Sequence, residues 1–225
     1  MKTKLIIVLT SLIFCTSCIF ADNKGFRFDG TVGIYVDFGY RNAKCQIINN
    51  EFVINAFMNK GKYVVFSDAI NLLPEYKEEF PYYQYQAKFG DFNPNDGIWV
   101  SKTWGQAQDT AAGEPHCFHE CINNIEITAL NDWNEELVAG ADISHLFTME
   151  YKTTMPYIER GFTGEKENLV SQAVTDVLQN PISLLSAKEP IKFKAKSLPS
   201  NGNVQIEIIF TLDSDREETC VVSLL

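Results

Sequence analysis

The sequence predicts a mainly β protein, an antiparallel β-sandwich-like domain over residues 22–225 with one amphipathic helix at about 165–179. Three observations carry this expectation. Apolar and polar residues alternate in several short segments, Asn, Gly and Asp residues separate those segments, and a single stretch holds an apolar stripe at helical spacing. The alternative is an α+β arrangement of two sub-domains divided near 114–123, where aromatic-rich loops give way to regular strands.

The first residues read as a leader and not as part of the fold. Lys2 and Lys4 open it, an apolar run over 5–14 follows, and the small residues Thr16 and Ser17 precede Cys18. The run is too short to span a bilayer, which takes about 20 residues. Residues 1–18 therefore read as a lipoprotein-type signal peptide with Cys18 as the lipidation site, although Cys15 stands where leucine is usual. Cleavage after Ala21 is the alternative. Both send the domain out of the cytoplasm, as an outer-membrane or cell-surface lipoprotein or as a periplasmic or secreted protein.

In the domain itself, Phe26, Phe28, Val32, Ile34, Val36 and Phe38 alternate as on a strand with one buried face. Residues 45–48 and 52–57 flank Asn49-Asn50 and read as a hairpin, since Asn tolerates the positive φ of tight turns. A short strand follows at 63–66. Between Pro74 and Pro115 the chain is rich in Pro, Gly, Asn and aromatics, with strands expected at 82–89 and 98–104. Residues 122–130 alternate again, with Ile125, Ile127 and Ala129 on one side, and a strand is expected over 149–158. The helix rests on Leu169, Val170, Ala173, Val174, Val177 and Leu178, with Pro181 as its stop. Strands at 191–196, 204–212 and 219–224 close the chain. Lys192, Lys194 and Lys196 alternate on the first of these, a pattern that blunts exposed sheet edges.

The formal net charge is -10, and without Lys2 and Lys4 the remaining 17 basic and 29 acidic residues give -12. Nucleic acid and anionic membranes reward clustered Lys and Arg, so neither is an expected partner and membrane contact is expected only through an N-terminal lipid. Cys45, Cys117, Cys121 and Cys220 remain after the leader, an even number that permits two disulfides in three connectivities. Local pairing of Cys117 with Cys121 would leave Cys45 and Cys220 as a long-range staple, with a contribution of roughly 3 to 5 kcal/mol.

His116, Cys117, His119 and Cys121 also carry ligand types that suit zinc or copper, which makes a metal the alternative to the local disulfide. Four tetrahedral ligands within one hexapeptide would be strained. Asp91, Asn93 and Asn95 follow calcium-loop spacing, but Asp96 holds the glycine position and Lys102 the bidentate-glutamate position, so the stretch reads as a turn. No nucleophile elbow, zinc-protease helix, phosphate loop or dinucleotide turn occurs, and no catalytic residue is assigned. A Cys117 nucleophile served by His119 or His145 conflicts with an oxidising compartment. Trp99, Trp104, Tyr83 and Tyr85, with Trp133, are candidate stacking platforms for a ligand, although aromatics in β domains are more often core.

The segments 125–132 (Ile-Glu-Ile-Thr-Ala-Leu-Asn-Asp) and 140–143 (Gly-Ala-Asp-Ile) ahead of Phe147, together with the leader, the one expected helix and the closing hairpin, resemble small exported lipoprotein-like proteins of unknown function of Bacteroidetes type. The likeness covers roughly 122–225 plus the leader. It implies an outer-membrane or cell-surface location and no chemistry. The expectation is thus a non-enzymatic binding module for a glycan or protein partner, engaged through the loops between Pro74 and Pro115 and needing no cofactor. A zinc or copper protein and a hydrolase follow as alternatives.

Overall fold

The structure, a computed structural model, describes residues 26–28, 31–49, 51–58, 63–65, 81–93, 98–100, 115–200 and 202–224. The leader with Cys18, and Trp104, lie outside the described residues. The strands are β1 (Phe26–Phe28), β2 (Ile34–Val36), β3 (Tyr40–Ile48), β4 (Glu51–Met58), β5 (Tyr63–Val65), β6 (Ile98–Val100), β7 (His116–Phe118), β8 (Ile122–Ala129), β9 (Phe147–Thr153), β10 (Asn168–Ala173), β11 (Ile191–Ala195), β12 (Val204–Leu212) and β13 (Glu217–Leu224). The helices are α1 (Pro81–Phe89) and α2 (Met155–Glu159). The protein is mainly β, as the alternation of its side chains requires.

Two sheets form the sandwich-like body: one ordered β10-β9-β11-β4-β3 and one ordered β13-β12-β8, both antiparallel. Alternation along each strand sends one set of residues inward. On β12 these are Val204, Ile206, Ile208, Phe210 and Leu212, and on β11 Ile191, Phe193 and Ala195. Phe193 of one sheet meets Phe210 of the other at 6.3 Å between ring centroids. Trp133 is fully buried among Phe52 and Phe147, edge-on to both. Because β4 pairs with β11, residues on both sides of the anticipated 114–123 division share one sheet and one core. A smaller sheet, β5-β2-β7, contains the parallel pair β2–β7, and β1 pairs with β6.

The β3–β4 hairpin turns at Asn49, whose φ of 51° is the left-handed conformation its side chain tolerates. Elsewhere the structure corrects the sequence. The helix expected at 165–179 is strand β10 followed by a 3-10 turn at Val174–Asp176. Its apolar residues do not share a face: Val174 and Val177 are buried, whereas Leu169 and Leu178 are 69% and 63% exposed. Pairing of β10 with β9, from Asn168 opposite Thr153 to Ala173 opposite Thr148, outweighed the helical pattern. The converse holds at 82–89, expected as a strand and found as α1. The strand expected over 149–158 ends at Thr153, and α2 begins with Pro156 in its first turn. Nor are Lys192 and Lys194 on a sheet edge, because β11 lies between β4 and β9.

Candidate functional site

The site grows from a buried carboxylate. Asp91 follows the left-handed Gly90 that ends α1, and its oxygens accept the Thr31 N–H (2.8 and 3.0 Å) and the Val32 N–H (2.9 Å). Burial pushes its pKa up, and those backbone bonds oppose the shift. Both oxygens of Asp91 are thus engaged by main chain, so the residue anchors a turn, while Asn95, Asp96 and Lys102 of the calcium-like spacing lie outside the described residues. This anchor ties α1 to β2: Tyr35 packs edge-on to Tyr85 (5.4 Å) and stacks on Phe89 (6.4 Å).

Held in this way, α1 delivers Tyr85 and Lys88, three positions apart and so on one face, to the segment after β7. Tyr85 stacks flat on the His119 imidazole, with centroids 4.1 Å apart and planes 5° apart. Lys88 Nζ donates to the His119 carbonyl (2.8 Å) and pairs with Asp213 (2.6 Å). On its other side His119 Nε2 shares a 2.6 Å hydrogen bond with Asp37 Oδ1.

Next to that pair, Arg216 gathers three groups. Its Nη2 donates to Glu120 Oε2 (2.7 Å) and to the Phe38 carbonyl (2.6 Å), Nε reaches Glu120 Oε1 (3.4 Å), and Nη1 pairs with Glu218. Glu120 also accepts from the Phe38 N–H (3.1 Å) and the Ser214 hydroxyl (3.0 Å). Burial works to raise the Glu120 pKa, but the Arg216 bond, aided by Phe38 and Ser214, outweighs it and holds the carboxyl below its ordinary range. Asp37, Phe38, Gly39, His119, Glu120, Arg216 and Glu218 together line a cleft of about 440 Å³. Glu218 shares a face of β13 with buried Cys220 and Val222, so the cleft opens where the core-facing row of that strand turns polar.

The expected disulfides are not formed: Cys45, Cys117, Cys121 and Cys220 are thiols. The turn at 119–120 separates the first pair. Cys117 Sγ lies 3.4 Å from Thr154 Oγ1 in the interior, and Cys121 Sγ lies 3.2 Å from Ser183 Oγ. Cys45 and Cys220 sit on β3 and β13, opposite Ile54 and Ile208. Burial pushes the Cys117 thiol up to about 12 and Cys45 up to about 11, which keeps both protonated at neutral pH. The His-Cys cluster is dispersed by the same turn, with His116 opposite Ile34 in the sheet and His119 on Asp37. Among the described residues no three His, Cys, Asp or Glu side chains gather as a metal would need.

Of the aromatic candidates, Tyr85 reaches the cleft by way of His119, whereas Trp133 is core. Tyr83 lies on α1, and Trp99 lies on β6 opposite Arg27. Sequence reasoning missed Asp37, Arg216, Glu218 and Lys88. The charged turn at 213–218 was the available signal, but the contact of Arg216 with Phe38 spans 178 positions, and no local pattern reports it. Comparisons with protein-family models, curated proteins and solved structures give no match.

Proposed function

We propose that the protein is an exported, lipid-anchored binding module without catalytic activity, and that it holds a glycan or a protein partner in the cleft between Asp37 and Glu218. The observation that carries this reading is the prior organisation of the cleft. Arg216 is braced by two carboxylates and a carbonyl, and His119 is clamped between Asp37 and Tyr85, so ligand binding costs little further ordering. The nearby hydroxyl and thiol groups have structural duties, Ser214 on Glu120 and Cys121 on Ser183, which argues for binding over nucleophilic catalysis. The leader motif ending in Cys18 supports the location.

A hydrolase is the second reading, because a carboxylate bonded to an imidazole at 2.6 Å is half of a general-base arrangement. The test is a defined-oligosaccharide array and a reciprocal pull-down with tagged partner candidates, each run on the protein and on the D37N/E218Q variant. A ligand held by the protein and lost by a variant of unchanged thermal stability supports the cleft. Undiminished binding by the variant overturns it, and turnover of any array sugar, read as new reducing ends, overturns the non-catalytic reading.

A further inference from the structure

The two outer faces of the sandwich carry opposite charge. Strands β8, β12 and β13 present Glu126, Glu207 and Glu217 outward and contain no Lys or Arg. On the five-stranded sheet, Lys44, Lys152, Lys192 and Lys194 stand against Glu51 and Glu150. In a chain with net charge -10, this sheet face thus carries four lysines against two glutamates.

Edge protection does not account for Lys152, Lys192 and Lys194, because β9 and β11 are interior to the sheet, whereas Lys44 stands on the edge strand β3. Ion pairing accounts for them only in part. One carboxylate, Glu150, serves both Lys194 (2.5 Å) and Lys192 (3.8 Å), and Lys152 has Glu189 at 3.1 Å. Lys44 and Lys192 flank Asn55 in one cross-strand row, roughly 10 Å apart, and Lys194 lies about 7 Å farther along β11. The row of Lys194 runs Gln46–Val53–Lys194–Thr148, so an amide and a hydroxyl stand at its ends and the amide of Asn55 lies between Lys44 and Lys192.

We propose that this face, centred on Lys44, Lys192 and Lys194, docks an acidic polysaccharide at a surface separate from the cleft. The lysines complement the spaced carboxylates of such a chain, and the neighbouring amides and hydroxyl match its sugar hydroxyls. Single-stranded nucleic acid would instead call for stacking aromatics. The exposed apolar side chains on this face, Leu169 and Ile48, stand apart on the two edge strands of the sheet instead of forming the continuous apolar face a bilayer takes. The acidic remainder of the protein does not prevent contact, since at physiological ionic strength charges more than about 8 Å away are largely screened.

The test is binding of the exported protein to immobilised polygalacturonate at physiological salt, with neutral dextran and phosphatidylglycerol vesicles as comparison surfaces. Polygalacturonate is expected to bind and dextran not. K44Q/K192Q, which leaves the Lys194–Glu150 pair in place, is expected to lose about tenfold in affinity with an unchanged melting temperature. The far-face variant E126Q/E207Q and the cleft variant D37N/E218Q are expected to bind as the parent does, which separates this surface from the cleft. No binding to polygalacturonate, equal binding to dextran, or undiminished binding by K44Q/K192Q overturns the proposal. Equal or stronger binding to the vesicles overturns the polysaccharide as occupant.

Discussion

Replacing Arg216 with alanine is expected to destabilise the protein by about 2 kcal/mol at neutral pH. The substitution strands Glu120, whose side chain is only 10% exposed, and removes a donor from the Phe38 carbonyl. Losing one partner of a fully buried pair costs roughly 3 to 5 kcal/mol, and an exposed pair contributes about 0 to 1. Arg216 is 38% exposed, so solvent screens part of the interaction and the value falls between these limits. At this chain length the change corresponds to a loss of about 4 to 8 °C in melting temperature.

The pH dependence is a sharper test. In the folded protein the Glu120 carboxyl lies below its ordinary range, so its stabilisation is present above the unfolded value, roughly 4.3, and is lost as pH falls through the depressed folded value. In the variant, burial acts without the guanidinium and moves that carboxyl upward. The gap between parent and variant should therefore be widest near pH 7 and shrink toward pH 3, as followed by thermal melts monitored by circular dichroism. The E120Q/R216A double variant should recover part of the loss, since it leaves no stranded charge. Equal stability of R216A and parent at pH 7, or a gap that widens in acid, would refute the reasoning.

Asp91→Asn should cost about 2 to 3 kcal/mol in urea unfolding, because one amide oxygen cannot replace two carboxylate oxygens and the amide NH₂ meets a backbone N–H of Thr31 or Val32. Trp133→Ala, which empties a fully buried site against Phe52 and Phe147, should cost about 3 to 5 kcal/mol in the same assay, and a loss below 1 would contradict its place in the core. Thiol titration in denaturant without reductant should find Cys45, Cys117, Cys121 and Cys220 all reactive, as the structure has them. In the native state, iodoacetamide at pH 7 should spare buried Cys117 and Cys220, and rapid labelling of either would show that burial does not protect it.

Strand positions were legible because alternation reports a face locally. The pattern at 122–130 became β8, that at 204–212 became β12, and paired asparagines marked the β3–β4 turn. Residues 165–179 were not legible by the same rule, since Leu169, Val170, Ala173 and Val174 satisfy both a helical stripe and a strand within so short a window. Only the neighbouring β9 ladder chose between them. The cleft was half legible: the sequence drew attention to 116–121, where His119 and Glu120 lie, but for metal or disulfide chemistry.

From sequence alone came the mainly β character, the acidic surface and the segments able to form strands, all properties set by side-chain type and short-range spacing. Tertiary structure alone decided that Asp37 faces His119, that Arg216 braces Glu120 and Glu218, that Cys117 and Cys121 turn apart, and that the lysines of β11 stand inside a sheet. The reason is physical: these contacts join residues up to 178 positions apart, and their partners are fixed by which strands pair and which faces pack.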